Sequence, residues 1–417
     1  MSIWAGMKGG FGHFFKGVLN RAMFNRSLFM RFTVMSLLAC LAANPAMSAA
    51  CGGDFNDFKA AMAAEARSAG LPEPAISAFL DGAQRDGAVI KADHGQGVFR
   101  KTFLDFSQSL ISKGRISGAA AASKKYNAAF TAAEQKYGVS RGIILAFWAF
   151  ETDFGQVQGD FNTRNALVTL AHDCRRPEFF QPQVLAAIAL TARGDINPDT
   201  TKGAWAGEIG MVQMLPRDIL ERGVDGDGDG HLTLKTSAPD AILSAAHMLQ
   251  FYGWQAGQPW IQQVVVPADF DWSQTGLDTV LPASKWAAMG VQAREGQLAN
   301  LPASVLLPQG RKGPAFITYP NYKVLFEWNK SFVYVTTAAY FATRIQGAGP
   351  YVAGKPDPAL SVDQMVGLQK KLAAMGYDVG KIDGIVGAAT RRAVQTEQKR
   401  LGLPADGWPT AALVAAL

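Results

Sequence analysis

The amino-acid sequence predicts a mainly α protein of the α+β class, with a small β-containing insert and a small helical module at its C-terminus. Three observations carry this. Residues 55–137 are Ala-rich, with apolar side chains at helical spacing and no lasting alternation. Between Pro259 and Tyr322 the text changes to short β-branched and aromatic runs such as "IQQVVVPADFDW" and "GPAFITYP", broken by Pro and Gly. A Gly/Pro-rich segment, Gln346 to Pro358, then sets the last part of the chain apart.

With 417 residues, 48% of them hydrophobic and 18% charged, the chain can bury a large core and is long enough for two or three domains. Its formal charge of +6 is uneven: Lys8, Lys16, Arg21, Arg26 and Arg31, with no acid among the first fifty residues, carry +5 of it, leaving +1 for the rest. The basic balance therefore says little about partners and gives no support to a nucleic-acid footprint, so none is expected. From Met30, "MRFTVMSLLACLAANPAMSAA" has a basic start, an apolar stretch too short to span a bilayer, and small residues at Ser48 and Ala50. Residues 1–50 therefore read as a signal peptide of an exported, periplasmic protein. The alternative is an outer-membrane lipoprotein acylated at Cys40, since "LLAC" resembles a lipobox. Once the signal is removed, Cys51 and Cys174 remain, and an exported pair is expected to form a disulfide; the alternative is two free thiols.

The main domain is expected over residues 51–347, a linker over 348–360 and the C-terminal module over 361–417. Phe58, Met62 and Ala66, then Tyr126, Phe130 and Ala133, mark helical faces, and "LPEPAI" at Leu71 to Ile76 reads as a loop with Pro74 at a helix start. Apolar spacing returns as a helix over Phe332 to Ile345. In the module, Met365, Leu368 and Leu372, then Thr390, Val394 and Glu397, mark two helices. "GKIDG" and "LPADG" echo each other there, and each Asp-Gly pair is a turn signal.

One acid stands out. Glu151 follows an unbroken apolar run, Ile143 to Phe150, in a helix with Ser140 as N-cap and Gly155 as C′ residue. A carboxylate in that last turn faces the negative end of the helix dipole and is desolvated by Phe147, Trp148 and Phe154, so its pKa is expected to rise, as a general acid requires. Most glycosidases pair two carboxylates, but Asp153 at i+2 projects from another face and is expected to contact the following loop. A single acid suits a substrate that supplies its own nucleophile.

Four ordered motifs, "FWAFETDFG", "NALVTLAHDCRRPEFF", "GAWAGEIGMVQMLP" and "FEWNKS", resemble the membrane-bound lytic murein transglycosylase B family over about Phe55 to Gly347. "LQKKLAAMGYDVGKIDGIVGAATRRAVQTEQKRLGLPADG" resembles a peptidoglycan-binding type 1 domain, which would make the module a three-helix fold. The first resemblance implies a lysozyme-like α fold with a groove for glycan strands. It also implies non-hydrolytic cleavage of the β-1,4 bond after N-acetylmuramic acid, giving a 1,6-anhydro end. Glu151 matches the sole acid/base, while Gln213 and Asn329 match polar groove positions, with Trp328 beside them as a further substrate-binding residue. Gly207 and Gly210 would give the close backbone approach a sugar needs. Ala204, Met248 and Trp328 depart from the family pattern, which has Ser at the first position and Tyr at the other two. Glu208 would orient substrate or Glu151; the alternative is a surface acid.

"DGDGDGHLTLKT" places Asp225, Asp227 and Asp229 at positions 1, 3 and 5 of an EF-hand-like loop, Gly230 at 6, and Thr236 where a bidentate Glu belongs. Those carboxylates and the backbone oxygen of His231 are candidate ligands for Ca²⁺ or another hard cation, although the chemistry itself requires no cofactor. The ring nitrogens of His231 and His247 are read as structural. The expected protein is thus a monomeric, exported enzyme acting on peptidoglycan glycan strands; the alternatives are a hydrolytic muramidase and a non-catalytic wall-binding scaffold.

Overall fold

The computed structural model describes residues 49–95 and 101–417. Cys40 and all but the last two residues of the expected signal segment lie outside them. Among the described residues no helix is long and apolar enough to cross a membrane.

The Phe55–Ser68 helix buries Phe58, Met62 and Ala66, the face its spacing marks, and Asp54 caps it by accepting from the N–H groups of Asn56 and Asp57. Glu73–Leu80 follows with Pro in its first turn. Tyr126, expected within a helical face, instead divides two helices, Lys113–Lys125 and Asn127–Tyr137, of which the second buries Phe130 and Ala133. The Cys51–Cys174 disulfide is present, and Gly52 N–H donates to His172 O beside it. Together they fasten the start of the described chain to the turn before the Pro177–Arg193 helix.

Arg141–Thr152 is buried at every position from Gly142 to Thr152, so it forms the hub of the main domain. Phe332–Ile345, buried from Phe332 to Ala342, packs along it. Phe150 stacks on Phe341, with ring centroids 5.1 Å apart. A helix apolar all round has no solvent face to present, which forces this central placement.

The strands are β1 Phe161–Asn162, β2 Lys202–Gly203, β3 Ile261–Val265, β4 Leu281–Pro282, β5 Gln292–Ala293, β6 Pro302–Leu306 and β7 Ala315–Thr318. The last five form one antiparallel sheet in the order β4-β6-β7-β3-β5, the expected insert, around its own core of Val264, Trp286, Val305 and Ile317. β1 pairs with β2 antiparallel.

Three helices, Val362–Ala374, Ala388–Arg400 and Ala411–Ala416, make the C-terminal module around Leu368, Leu372, Val394 and Leu413. The Asp-Gly echo is structural. Asp383 Oδ1 accepts from Ile385 N–H at 2.9 Å and Asp406 Oδ1 from Trp408 N–H at 3.0 Å. A buried glutamine closes each turn, Gln369 on Gly384 N–H and Gln398 on Gly407 N–H. The Gly/Pro segment does not swing free of the main domain. Tyr351 hydrogen-bonds to Ser107 and packs on Phe103 and Tyr340, while Gln263 exchanges two hydrogen bonds with the Val352 backbone.

Candidate active site

Glu151 lies in the last turn of the hub helix and is only 4% exposed. The helix ends two residues earlier than the Gly155 signal: Asp153 and Phe154 already adopt left-handed backbone, at φ 47° and 60°. Side chains outside the helix stabilise this turn. Arg115 grips both carboxylate oxygens of Asp153, at 2.6 and 3.0 Å, and Phe154 packs edge-on against Trp148. Asp153 thus serves Arg115, not the following loop.

Two donors converge on one oxygen of Glu151. Trp328 Nε1 donates to Oε1 at 2.9 Å and the Tyr334 hydroxyl donates to it at 2.8 Å. Trp328 ends the Pro320–Trp328 helix and Tyr334 stands in the first turn of Phe332–Ile345, so the short turn between those helices brings both. Stacking fixes their planes: Phe147 lies 4.4 Å from Trp328 at 6° and 6.2 Å from Tyr334 at 7°. Burial, with the adjacent carboxylate, holds the Tyr334 hydroxyl proton well above the usual phenol range, so it is a committed donor at neutral pH. Donation to the carboxylate favours its charged form, whereas burial and the helix C-terminus oppose it.

Thr152 draws a third element to this corner. Its Oγ1 donates to Met211 O at 2.5 Å, joining the end of the hub helix to the 204–214 loop. That loop carries Gln213, buried and strained at φ 52°, whose amide donates to Gly210 O at 2.7 Å and to Gln158 O at 3.2 Å. Glu208 is 2% exposed, so it is not a surface acid; burial lowers the pKa of the Arg176 guanidinium, and the charges of Asp93 and, less, Glu208 oppose that. The glycines serve the chain's own packing. A Cβ on Gly207 (φ 85°) would meet Leu167 at 2.2 Å, and one on Gly210 (φ 83°) would meet Leu234 O at 2.5 Å.

Trp328, read from sequence as a residue that meets sugar, is fully buried and grips the acid instead. Asn329 is also buried and caps its own turn, accepting from Ser331 N–H at 2.8 Å. Sequence reasoning missed Tyr334. Its only signal was a phenol in an otherwise apolar first helical turn, with nothing local to bond.

The Asp-rich loop lies apart from this corner. Oxygens of Asp225, Asp227 and Asp229 fall within 4.8 Å of one another, and all three residues are exposed. Asp225 accepts from Gly228 N–H at 2.6 Å and Gly230 N–H at 2.9 Å, and the Gly230 bond is the larger cause of its lowered pKa. Three convergent carboxylates fit a hard cation, though Thr236 offers no bidentate arm. The His231 ring turns to Asp195 at 3.3 Å, and His247 rests on Arg222 O at 2.9 Å and stacks on Tyr137.

Glu151, buried at the end of an all-round apolar helix, thus stands beside a strained polar loop that carries a second buried acid, Glu208. The chain belongs to the family described as "Transglycosylase SLT domain", whose profile matches residues 54–343, and residues 361–417 match "Putative peptidoglycan binding domain". It is 28% identical over 233 residues to the membrane-bound lytic murein transglycosylase B of Escherichia coli (strain K12), a stretch spanning 55% of this chain and 63% of that protein's length. SltB3 of Pseudomonas aeruginosa, solved in complex with NAG-anhNAM-pentapeptide, is 35% identical with a TM-score of 0.81, covering 88% of this chain and 99% of SltB3. Slt35 of E. coli, solved in complex with bulgecin A, is 25% identical with a TM-score of 0.61, covering 71% of this chain and 95% of Slt35. Slt35 has also been solved in complex with calcium.

Proposed function

We propose that the protein is a lytic transglycosylase of peptidoglycan, with Glu151 as its single acid/base. The observation that carries this reading is the convergence of Trp328 and Tyr334 on one oxygen of a buried carboxylate whose sequence neighbour, Asp153, is committed to Arg115. In this reading the protonated Glu151 carboxyl is the proton donor. That proton passes to the bridging oxygen as the C1–O4 bond between N-acetylmuramic acid and N-acetylglucosamine breaks. The carboxylate then takes the proton of the C6 hydroxyl while that oxygen closes on C1, giving a 1,6-anhydro end without water. General acid–base work of this kind contributes roughly 10²–10⁴-fold.

Gln213 and Glu208 sit on the loop that Thr152 ties to this corner, which supports a part for that loop in seating the strand. The module over 361–417 would hold the enzyme on the wall. Export to the periplasm and action as a monomer belong to the same reading; acylation at Cys40 would place it on the outer membrane. Asp225, Asp227 and Asp229, with the His231 carbonyl, would hold a calcium ion that cross-links the loop and takes no part in bond cleavage.

Glu151→Gln tests the assignment: release of anhydro-muropeptides from purified sacculi should fall by about 10³-fold. Retained activity would sink it, and products heavier by one water would mark a hydrolytic muramidase. Binding to sacculi by the wild-type protein without any solubilisation would mark a scaffold.

A further inference from the structure

The turn that carries both Glu151 donors is also where the C-terminal module meets the main domain. Phe332 follows the N-cap of the Tyr334 helix, and its ring lies 4.6 Å from the guanidinium of Arg391, which the module's Ala388–Arg400 helix supplies. Arg391 Nη2 donates to Pro308 O at 2.6 Å and Nη1 to Leu307 O at 3.3 Å, and Trp408 covers it at 5.5 Å. Next door, Val333 faces the module's Val362 and Met365 across a small cavity. Burial draws the guanidinium down to about 10, Asp406 and Tyr322 opposing, so it stays charged at neutral pH. A second joint lies further off, where Gln395 Nε2 donates to Trp272 O at 3.1 Å and Thr275 O at 2.9 Å.

We infer that Arg391 is a positioning residue for catalysis: through Phe332 it braces the Trp328–Tyr334 turn, so the wall-binding module sets the geometry of Glu151 as well as tethering the enzyme. Tyr334 lies two residues beyond Phe332 in the same helical turn, and Trp328 four residues before it. Any tilt of that turn displaces both hydrogen-bond donors together. The inference rests on the transglycosylase reading of Glu151.

The test uses the full chain and a short soluble GlcNAc–MurNAc oligomer, on which wall tethering has no bearing. Arg391→Met should lower kcat about tenfold, within the range a misplaced catalytic group costs, with KM changed by less than about twofold. Arg391→Lys, which keeps the charge over Phe332, should recover most of that loss, and Phe332→Leu should reproduce it. Gln395→Ala, at the second joint, should leave kcat unchanged. Amide hydrogen exchange at Trp328–Tyr334 should speed up in Arg391→Met and Phe332→Leu but not in Gln395→Ala. Wild-type kcat in both Arg391→Met and Phe332→Leu would overturn the inference, as would an equal loss in Gln395→Ala. If Arg391→Met does not fold, Phe332→Leu and the lysine variant decide by the same criteria. A wild-type protein that makes no anhydro product would instead remove the functional reading, and the exchange data would still judge the brace.

Discussion

Glu151 and the Asp225–Asp229 loop are both carboxylate sites, yet they are built in opposite ways. Glu151 is buried, and its two donors come from 177 and 183 residues further along the chain. The loop carboxylates are exposed, and the groups that bond them lie at most ten residues away. Sequence separation sets the behaviour: a site assembled from distant elements inherits the rigidity of the core, whereas a local loop can adjust to an ion. Asp93 belongs with Glu151, since it is 2% exposed and paired with Arg175 and Arg176, 82 and 83 residues away.

The largest expected effect on stability is at Asp93, where one change leaves two cations facing a lost charge. Asp93→Asn should destabilise the fold by about 3 kcal/mol in urea melts, the range for a broken buried pair. A loss no larger than that from removing an exposed pair such as Arg67–Glu73 would erase the distinction between the two kinds of site.

Next come the donors themselves. Trp328→Phe keeps the stack on Phe147 and removes only the N–H, while Tyr334→Phe removes only the hydroxyl. Each should lower kcat about tenfold and the pair about a hundredfold, or about 2.7 kcal/mol, with KM little changed. A double variant no worse than either single would show the two donors acting as one unit.

These residues also mark how far the sequence could be read. The buried hub helix, its N-cap at Ser140, the β-insert and the Phe332–Ile345 helix all follow from periodicity and turn chemistry, which are local. Glu151 stood out because an acid after eight apolar residues breaks the pattern of its own helix. Tyr334 and the gripping role of Trp328 were not legible. Nothing within their own helices signals a partner almost two hundred residues upstream, and an aromatic on a buried face reads as plain core. The end of the hub helix was misplaced for the same reason: Arg115, 38 residues upstream of Asp153, stabilises a left-handed turn that Gly155 alone would have started later. Tyr126 divides two helices where apolar spacing alone read a continuous face.

The smallest expected effect belongs to the acidic loop, because its carboxylates already have backbone partners and an ion adds only their mutual attraction to it. Calcium at about tenfold its dissociation constant should stabilise the protein by about 1.4 kcal/mol, read as a rise in Tm that a chelator reverses. Asp227→Asn should shrink that rise without changing kcat. The pH dependence follows from Asp225, whose folded-state pKa lies below the ordinary value because Gly230 and then Gly228 donate to it. A depressed carboxylate pKa contributes stability that is full above the unfolded value of 3.8 and lost as pH falls through the folded one. The calcium response should therefore be intact at neutral pH and be lost only as pH falls below 3.8. A response that fades near pH 6.5 would instead place a histidine ring among the ligands, and the loop would then share the long-range construction of Glu151, since the His231 ring is held by Asp195 from 36 residues upstream.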